Sequence, residues 1–342
     1  MRVDWNKRAV LAGVSVLPLV LAGCFQTQVP SDNGYFGSRY VARALRRETH
    51  TWHNAQTKRT VTASIYRPDS AGERFPAIIF SPGCSIPPDH YTYLARHWAS
   101  NGYVVAFLDH PDSDLALLKG WLDLRTRSKA LADPAIGRER LQDISLAIDQ
   151  LETSPSLADV VDGTRIAVAG HSLGALAAMA AVGMRFGLES DPNGPGGDPR
   201  VDAAVALSPP GPELGGFSES SAQVIDRPCQ TIIGTLDVDF VVTFHPAERR
   251  IAFDNSDGPD QFLVILLGAM HTSYEDRLPL LPQYSYRNCF HDYIEMATLA
   301  FFDACLKNDR EAQQWLAAGE IESCGGGNCK LECKNVTFPQ PN

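Results

Sequence analysis

Residues 164–186 read Thr-Arg-Ile-Ala-Val-Ala-Gly-His-Ser-Leu-Gly-Ala-Leu-Ala-Ala-Met-Ala-Ala-Val-Gly-Met-Arg-Phe. An apolar run of β character, Ile166 to Ala169, meets Gly170-His171-Ser172-Leu173-Gly174, and an alanine-rich helical stretch follows at once. Gly-x-Ser-x-Gly between strand and helix is the nucleophile elbow, a turn sharp enough to lift the serine hydroxyl off the sheet. Without Cβ atoms, Gly170 and Gly174 let strand and helix pass closely. The helix N-terminus beneath Ser172 favours negative charge developing there. The pentapeptide alone is a weak signal; the strand before it and the small-residue helix after it make it a strong one.

Outward from the elbow, short apolar runs predict further buried strands: Pro76–Phe80, Tyr103–Leu108, Val201–Leu207, Cys229–Gly234 and, as the last, Phe262–Leu267. Helices are expected over Asp89–Asn101, ended by Gly102, over Arg138–Glu152, with Leu141, Ile144, Ile148 and Leu151 at helical spacing, and over His291–Leu306. Alternation over residues 48–66 predicts an antiparallel opening strand or hairpin. Strands and helices in turn imply an α/β fold, a mainly parallel sheet with helices on both faces. One domain over residues 46–320 accounts for this more simply than two. Residues 112–135, with Leu115, Leu117, Leu118 and Trp121, and the loops at 187–199 and 209–222 are placed to surround a pocket, and their apolar content suggests an uncharged or acyl substrate.

A serine hydroxyl becomes a good nucleophile when a histidine takes its proton and a carboxylate orients that histidine. In elbow proteins the partners follow in the order serine, acid, histidine, at the C-terminal ends of later strands. Gly234-Thr-Leu-Asp237 and Gly268-Ala-Met-His271 occupy such positions, making Asp237 and His271 the candidates beside Ser172. Asp239 is a rival acid two residues beyond Asp237, and either could instead solvate a loop or cap a helix near residue 242. An oxyanion needs two preset backbone donors. The Leu173 N–H follows the nucleophile directly; the second should come from the loop after residues 76–80, where Pro82 has no N–H and Gly83, Cys84 and Ser85 remain. Cys84, acting through its backbone, is the choice.

Phe80-Ser-Pro-Gly-Cys84, Asn101-Gly-Tyr-Val-Val105, Asp109-His-Pro111, Gly170-His-Ser-Leu-Gly174, Gly234-Thr-Leu-Asp237 and Ala300-Phe-Phe-Asp-Ala-Cys-Leu-Lys307 carry a resemblance across roughly Phe75 to Leu306. The chain resembles the serine α/β-hydrolases of the dienelactone-hydrolase-like and platelet-activating-factor-acetylhydrolase-like group, which includes bacterial polyester hydrolases and cutinase-like enzymes. The resemblance implies the α/β-hydrolase fold, a Ser-His-Asp triad without cofactor, and an oxyanion N–H from the residue after the loop glycine, here Cys84. That residue is usually aromatic or aliphatic in the group. Dienelactone hydrolases proper use a cysteine nucleophile, so their lactone substrate does not carry over to Ser172. The expected activity is carboxylic-ester hydrolysis through an acyl-enzyme, on a small-molecule or lipid-like ester. Acyl transfer, thioester hydrolysis and peptide hydrolysis use the same triad, and a non-catalytic envelope binding lipoprotein is the alternative of another class.

The termini carry separate signals. Arg2, Lys7 and Arg8 precede an apolar stretch from Ala9 to Gly23, which at 15 residues with Pro18 inside is short for a spanning helix. Leu21-Ala-Gly-Cys24 closes it as a signal-peptide cleavage site does, and resembles the lipobox of bacterial lipoproteins. Residues 1–23 therefore read as a lipoprotein signal peptide, Cys24 as the lipid attachment site, residues 24–45 as a tether, and the chain as exported to the bacterial envelope, with plain secretion as the rival. Of the eight cysteines, Cys84, Cys229, Cys289, Cys305, Cys324, Cys329 and Cys333 remain; in an oxidising compartment the cluster in and before the 321–342 tail predicts disulfides pinning the C-terminal end. Zinc at Cys324, Cys329 and Cys333 would lack a fourth ligand of usual spacing, so no metal is expected. A net charge of −10 with no basic run excludes tracking of a nucleic-acid backbone.

Overall fold

Pairs such as Ile78-Ile79 and Val104-Val105 are apolar at consecutive positions, so their strands must be covered on both faces. The computed structural model shows this for the residues it describes, 43–111, 133–185, 197–212, 217–238, 245–278, 281–324 and 327–339. Strands β1 (Leu45–Asn54) and β2 (Arg59–Pro68) form the opening hairpin. Then come β3 (Phe75–Ser81), α1 (Thr92–Ser100), β4 (Val104–Asp109), α2 (Pro134–Thr153), β5 (Val161–His171), α3 (Leu173–Ala181) and β6 (Val201–Leu207). They are followed by α4 (Glu219–Ala222), β7 (Cys229–Gly234), α5 (Ile251–Asn255), β8 (Gln261–Leu266), a two-stranded ribbon of β9 (Arg277–Leu278) and β10 (Leu281–Ser285), α6 (Cys289–Leu306), α7 (Arg310–Ala318), α8 (Glu320–Cys324) and β11 (Cys329–Lys334).

Nine strands make one sheet in the order β1-β2-β4-β3-β5-β6-β7-β8-β11. Pairings from β4 through β8 are parallel; β1–β2, β2–β4 and β8–β11 are antiparallel. On one face Ile79, Val104, Ala106 and Val168 pack with Ile144 and Ile148 of α2 and Leu176 of α3. On the other, Ile78, Phe80, Val105, Phe107 and Ala169 pack with Leu94 and Trp98 of α1 and Ile294 and Phe301 of α6. Burying each large apolar side chain of these layers contributes about 1.5–3 kcal/mol.

Several boundaries differ from the sequence reading. Helix α2 starts at Pro134, because Asp133 caps it by accepting from the Ala135 N–H and Pro134 suits a first turn that needs no N–H. The helix expected from Asp89 begins instead as a 3-10 turn, Pro88–Tyr91. Strand 262–267 is not the last. The segment expected as a cysteine-rich tail supplies β11, paired antiparallel to β8 from Cys329↔Leu266 to Lys334↔Gln261. The C-terminal disulfides are also corrected: among the described residues no disulfide joins any of the seven cysteines. Backbone pairing along β8 and burial of Cys329 hold this end. Residues 1–42, with Cys24 and most of the tether, lie outside the described residues, as do 112–132, 186–196 and 213–216 of the expected pocket rim; the tether expected to run to residue 45 ends sooner, because Leu45 already pairs in β1. Among the described residues no helix is long and apolar enough to cross a membrane.

The α1–α6 layer buries two histidines, His97 and His291. Burial holds both imidazoles down, to about 3, so each is neutral in the folded chain. The unfolded chain protonates them below about pH 6.5, so the stability tied to their neutral form is complete above that pH and drains between about 6.5 and 3. Their joint share of the loss in urea-unfolding free energy between pH 7.5 and pH 5.5 should be about 2–3 kcal/mol. His97→Gln should shrink the measured difference between the two pH values by about 1.4 kcal/mol; an unchanged slope would refute the assignment.

Candidate active site

Ser172 sits between β5 and α3 at φ 54°, ψ −120°. A side chain in this region costs about 1–3 kcal/mol. The Ser172 N–H donates to the Leu207 carbonyl at 2.9 Å, tying the turn to β6. A Cβ on Gly170 would lie 2.1 Å from the Gly174 carbonyl oxygen, and one on Gly174 would lie 1.9 Å from that of Ser81. Both elbow glycines are therefore required by contact.

The turns after β7 and β8 lock together. A Cβ on Gly234 would meet the Ala269 carbonyl oxygen at 2.2 Å. The Leu236 N–H donates to that carbonyl at 3.0 Å, and the Gly268 N–H to Thr235 Oγ1 at 2.9 Å. This brings Asp237 and His271 side by side. His271 Nε2 is 3.1 Å from Ser172 Oγ, and Nδ1 is 2.9 Å from Asp237 Oδ1. Three residues from the ends of β5, β7 and β8 thus form one continuous chain of contacts. Asp239 lies outside the described residues.

Two members of the site escaped the sequence reading. Ser208 Oγ lies 2.9 Å from His271 Nδ1, the same nitrogen that faces Asp237 Oδ1. It follows β6 directly, so the strand-end reasoning that found Asp237 could have found it. Arg249 and Asp237 are both fully buried, with Arg249 Nε 3.0 Å from Asp237 Oδ1 and 3.0 Å from its carbonyl oxygen. Burial pushes the Asp237 carboxyl up, but Arg249 and His271 outweigh it and hold the carboxyl below its usual range. Arg249 Nη1 also donates to the Ser208 and Pro209 carbonyls, each at 3.1 Å. No local pattern marks this arginine.

On the far side of Ser172, Leu173 opens α3, where helix N–H groups lack intrahelical acceptors. Of the loop donors, the Gly83 N–H is spent on Tyr91 Oη at 3.3 Å. Tyr91 Oη is 2.9 Å from His171 Nδ1, and the His171 ring lies 4.8 Å from that of His271. Burial holds His171 well below the usual imidazole range, so it is a neutral neighbour of His271. Leu236 and Val238, 42% and 40% exposed, give the turn around Asp237 an apolar surface. The arrangement holds a nucleophile, a base, an orienting acid and backbone donors, which is the equipment of acyl transfer. Among the described residues no group of three histidine, cysteine or carboxylate side chains could hold a metal ion. No protein-family model matches the chain.

Proposed function

We propose that this chain is a serine carboxylic-ester hydrolase of the α/β-hydrolase type, anchored to the bacterial envelope by lipid at Cys24. The observation that carries the reading is the unbroken chain Ser172 Oγ–His271 Nε2, His271 Nδ1–Asp237 Oδ1, set on an elbow. The order serine, acid, histidine along successive strand ends supports the fold assignment.

In this mechanism Ser172 Oγ attacks the ester carbonyl carbon while His271 Nε2 takes its proton. The oxyanion is held by the N–H groups of Leu173 and Cys84. Collapse of the tetrahedral species breaks the bond to the alcohol, which leaves with the proton from His271. Water, deprotonated by His271, then attacks the acyl-enzyme and releases the carboxylic acid. Ionised Asp237, aided by Ser208, fixes the Nδ1–H tautomer throughout. The apolar Leu236 and Val238 suit an uncharged acyl or alcohol group.

The test is covalent. A fluorophosphonate should add its phosphonyl mass to the peptide bearing Ser172, and the protein should turn over p-nitrophenyl acetate and butyrate. Failure of both would return the chain to a non-catalytic binding role. For the anchor, cells fed labelled palmitate should label the wild-type protein but not Cys24→Ala; equal labelling would remove Cys24 as the attachment site.

A further inference from the structure

Ser81, His110 and Asp143 repeat triad-like distances away from the elbow: Ser81 Oγ is 2.9 Å from His110 Nε2, and His110 Nδ1 is 2.8 Å from Asp143 Oδ2. All three are at most 2% exposed, and Arg140 Nη1 donates to Ser81 Oγ at 3.3 Å. No substrate reaches that hydroxyl. Arg59 closes the far end, donating from Nε and Nη2 to the two Asp143 oxygens at 2.9 and 2.7 Å. The set is a sealed strut running from β2 through α2 to the last residue of β3.

What it supports is the next peptide. The same Arg140 Nη1 donates to the Pro82 carbonyl. On the other side of that peptide plane, the Gly83 N–H donates to Tyr91 Oη, itself set by His171. The Pro82–Gly83 amide is thus gripped at its oxygen by a buried guanidinium and at its nitrogen by a buried phenol. Only the φ and ψ of Gly83 separate that plane from the next, and the Gly83 carbonyl, coplanar with the Cys84 N–H, accepts from the Ile86 N–H at 3.3 Å. The space is also full, since a Cβ on Gly83 would lie 3.3 Å from both Tyr91 Oη and His171 Nδ1.

We infer that Arg140 and Tyr91 are positioning residues for the oxyanion hole, clamping the Pro82–Gly83 peptide so that the Cys84 N–H meets the developing oxyanion. This rests on the serine-hydrolase reading. Neither side chain acts on the substrate; each acts through the backbone. Losing a preset oxyanion donor costs about 10²–10³ in kcat, and a loosened one should cost about tenfold or more.

The experiment compares wild type, Tyr91→Phe, Arg140→Lys and Arg140→Gln on a carbonyl ester and on its thionoester. The larger sulfur of the thionoester, a weak hydrogen-bond acceptor, uses an oxyanion hole poorly. Tyr91→Phe keeps the buried ring and removes the hydroxyl, so it tests the clamp even if the Arg140 variants fail to fold. The expected result is a kcat about tenfold lower on the carbonyl ester with KM within about twofold, and a carbonyl-to-thiono rate ratio at least about fivefold lower. Arg140→Lys should retain more of the ratio than Arg140→Gln. A Tyr91→Phe protein with the wild-type ratio, or with equal losses on both esters, overturns the clamp while leaving the hydrolase reading intact. A wild-type protein inert to both esters and to fluorophosphonate overturns the underlying reading, and the clamp with it.

Discussion

Ser172→Ala is expected to lower kcat on p-nitrophenyl butyrate by about 10⁴–10⁶-fold and to leave the fold intact, because loss of a triad nucleophile alone has effects of that order. The substitution removes one oxygen, whose contact is His271 Nε2. It adds no strain, since serine and alanine both place a Cβ at φ 54°. Nor does it remove a helix cap, because the Ser172 side chain makes no capping hydrogen bond to α3. Thermal unfolding should stay within about 2 °C of wild type, which separates lost chemistry from lost structure. Asp237→Asn should be a second severe variant, at about 10⁴-fold, because the amide favours the wrong imidazole tautomer. Hydrolysis by Ser172→Ala within tenfold of wild type would move the chemistry away from the elbow.

Arg249→Leu should be the most costly substitution for stability, at about 3–5 kcal/mol in urea unfolding, since removing one partner of a buried ion pair strands the other charge. The arginine and Asp237 are both wholly buried, and the guanidinium also serves the carbonyls of Ser208, Pro209 and Asp237 itself. Leucine would leave these acceptors unmet and let burial push the Asp237 carboxyl up toward its neutral form. Activity should fall with it, because a neutral acid cannot stabilise the imidazolium. Arg249→Lys keeps the charge but not the planar fork, so it should recover part of the stability and less of the activity. A loss below about 1 kcal/mol for Arg249→Leu would show that the pair is structurally dispensable.

What could be read from sequence was local. Strands β3 to β8 announced themselves as apolar runs, and Ser172, Asp237 and His271 each follow one of them directly, so chain order was enough to nominate all three. The helper groups are a different matter. Arg249 reaches back to Ser208, Arg140 to Ser81 and Pro82, and Tyr91 across to His171, contacts spanning roughly 40 to 80 residues that no spacing encodes. Strand β11 is hidden in the sequence for another reason. Cys329, Leu331 and Cys333 alternate with Lys330, Glu332 and Lys334, a period of two, but close cysteine spacing is equally the pattern of a disulfide-pinned tail.

The place of β11 also orders events during synthesis. Strand β8, Gln-Phe-Leu-Val-Ile-Leu over residues 261–266, is an apolar segment of strong β preference whose outer edge is paired, among the described residues, by residues 329–334. Until those residues emerge, every nascent chain presents a bare, sticky ribbon to its neighbours. Once they dock, the outward edge carries Lys330, Glu332 and Lys334, charges that discourage pairing with another chain. A message cut short before codon 329 would therefore yield a protein with every proposed catalytic residue present and a strong tendency to aggregate.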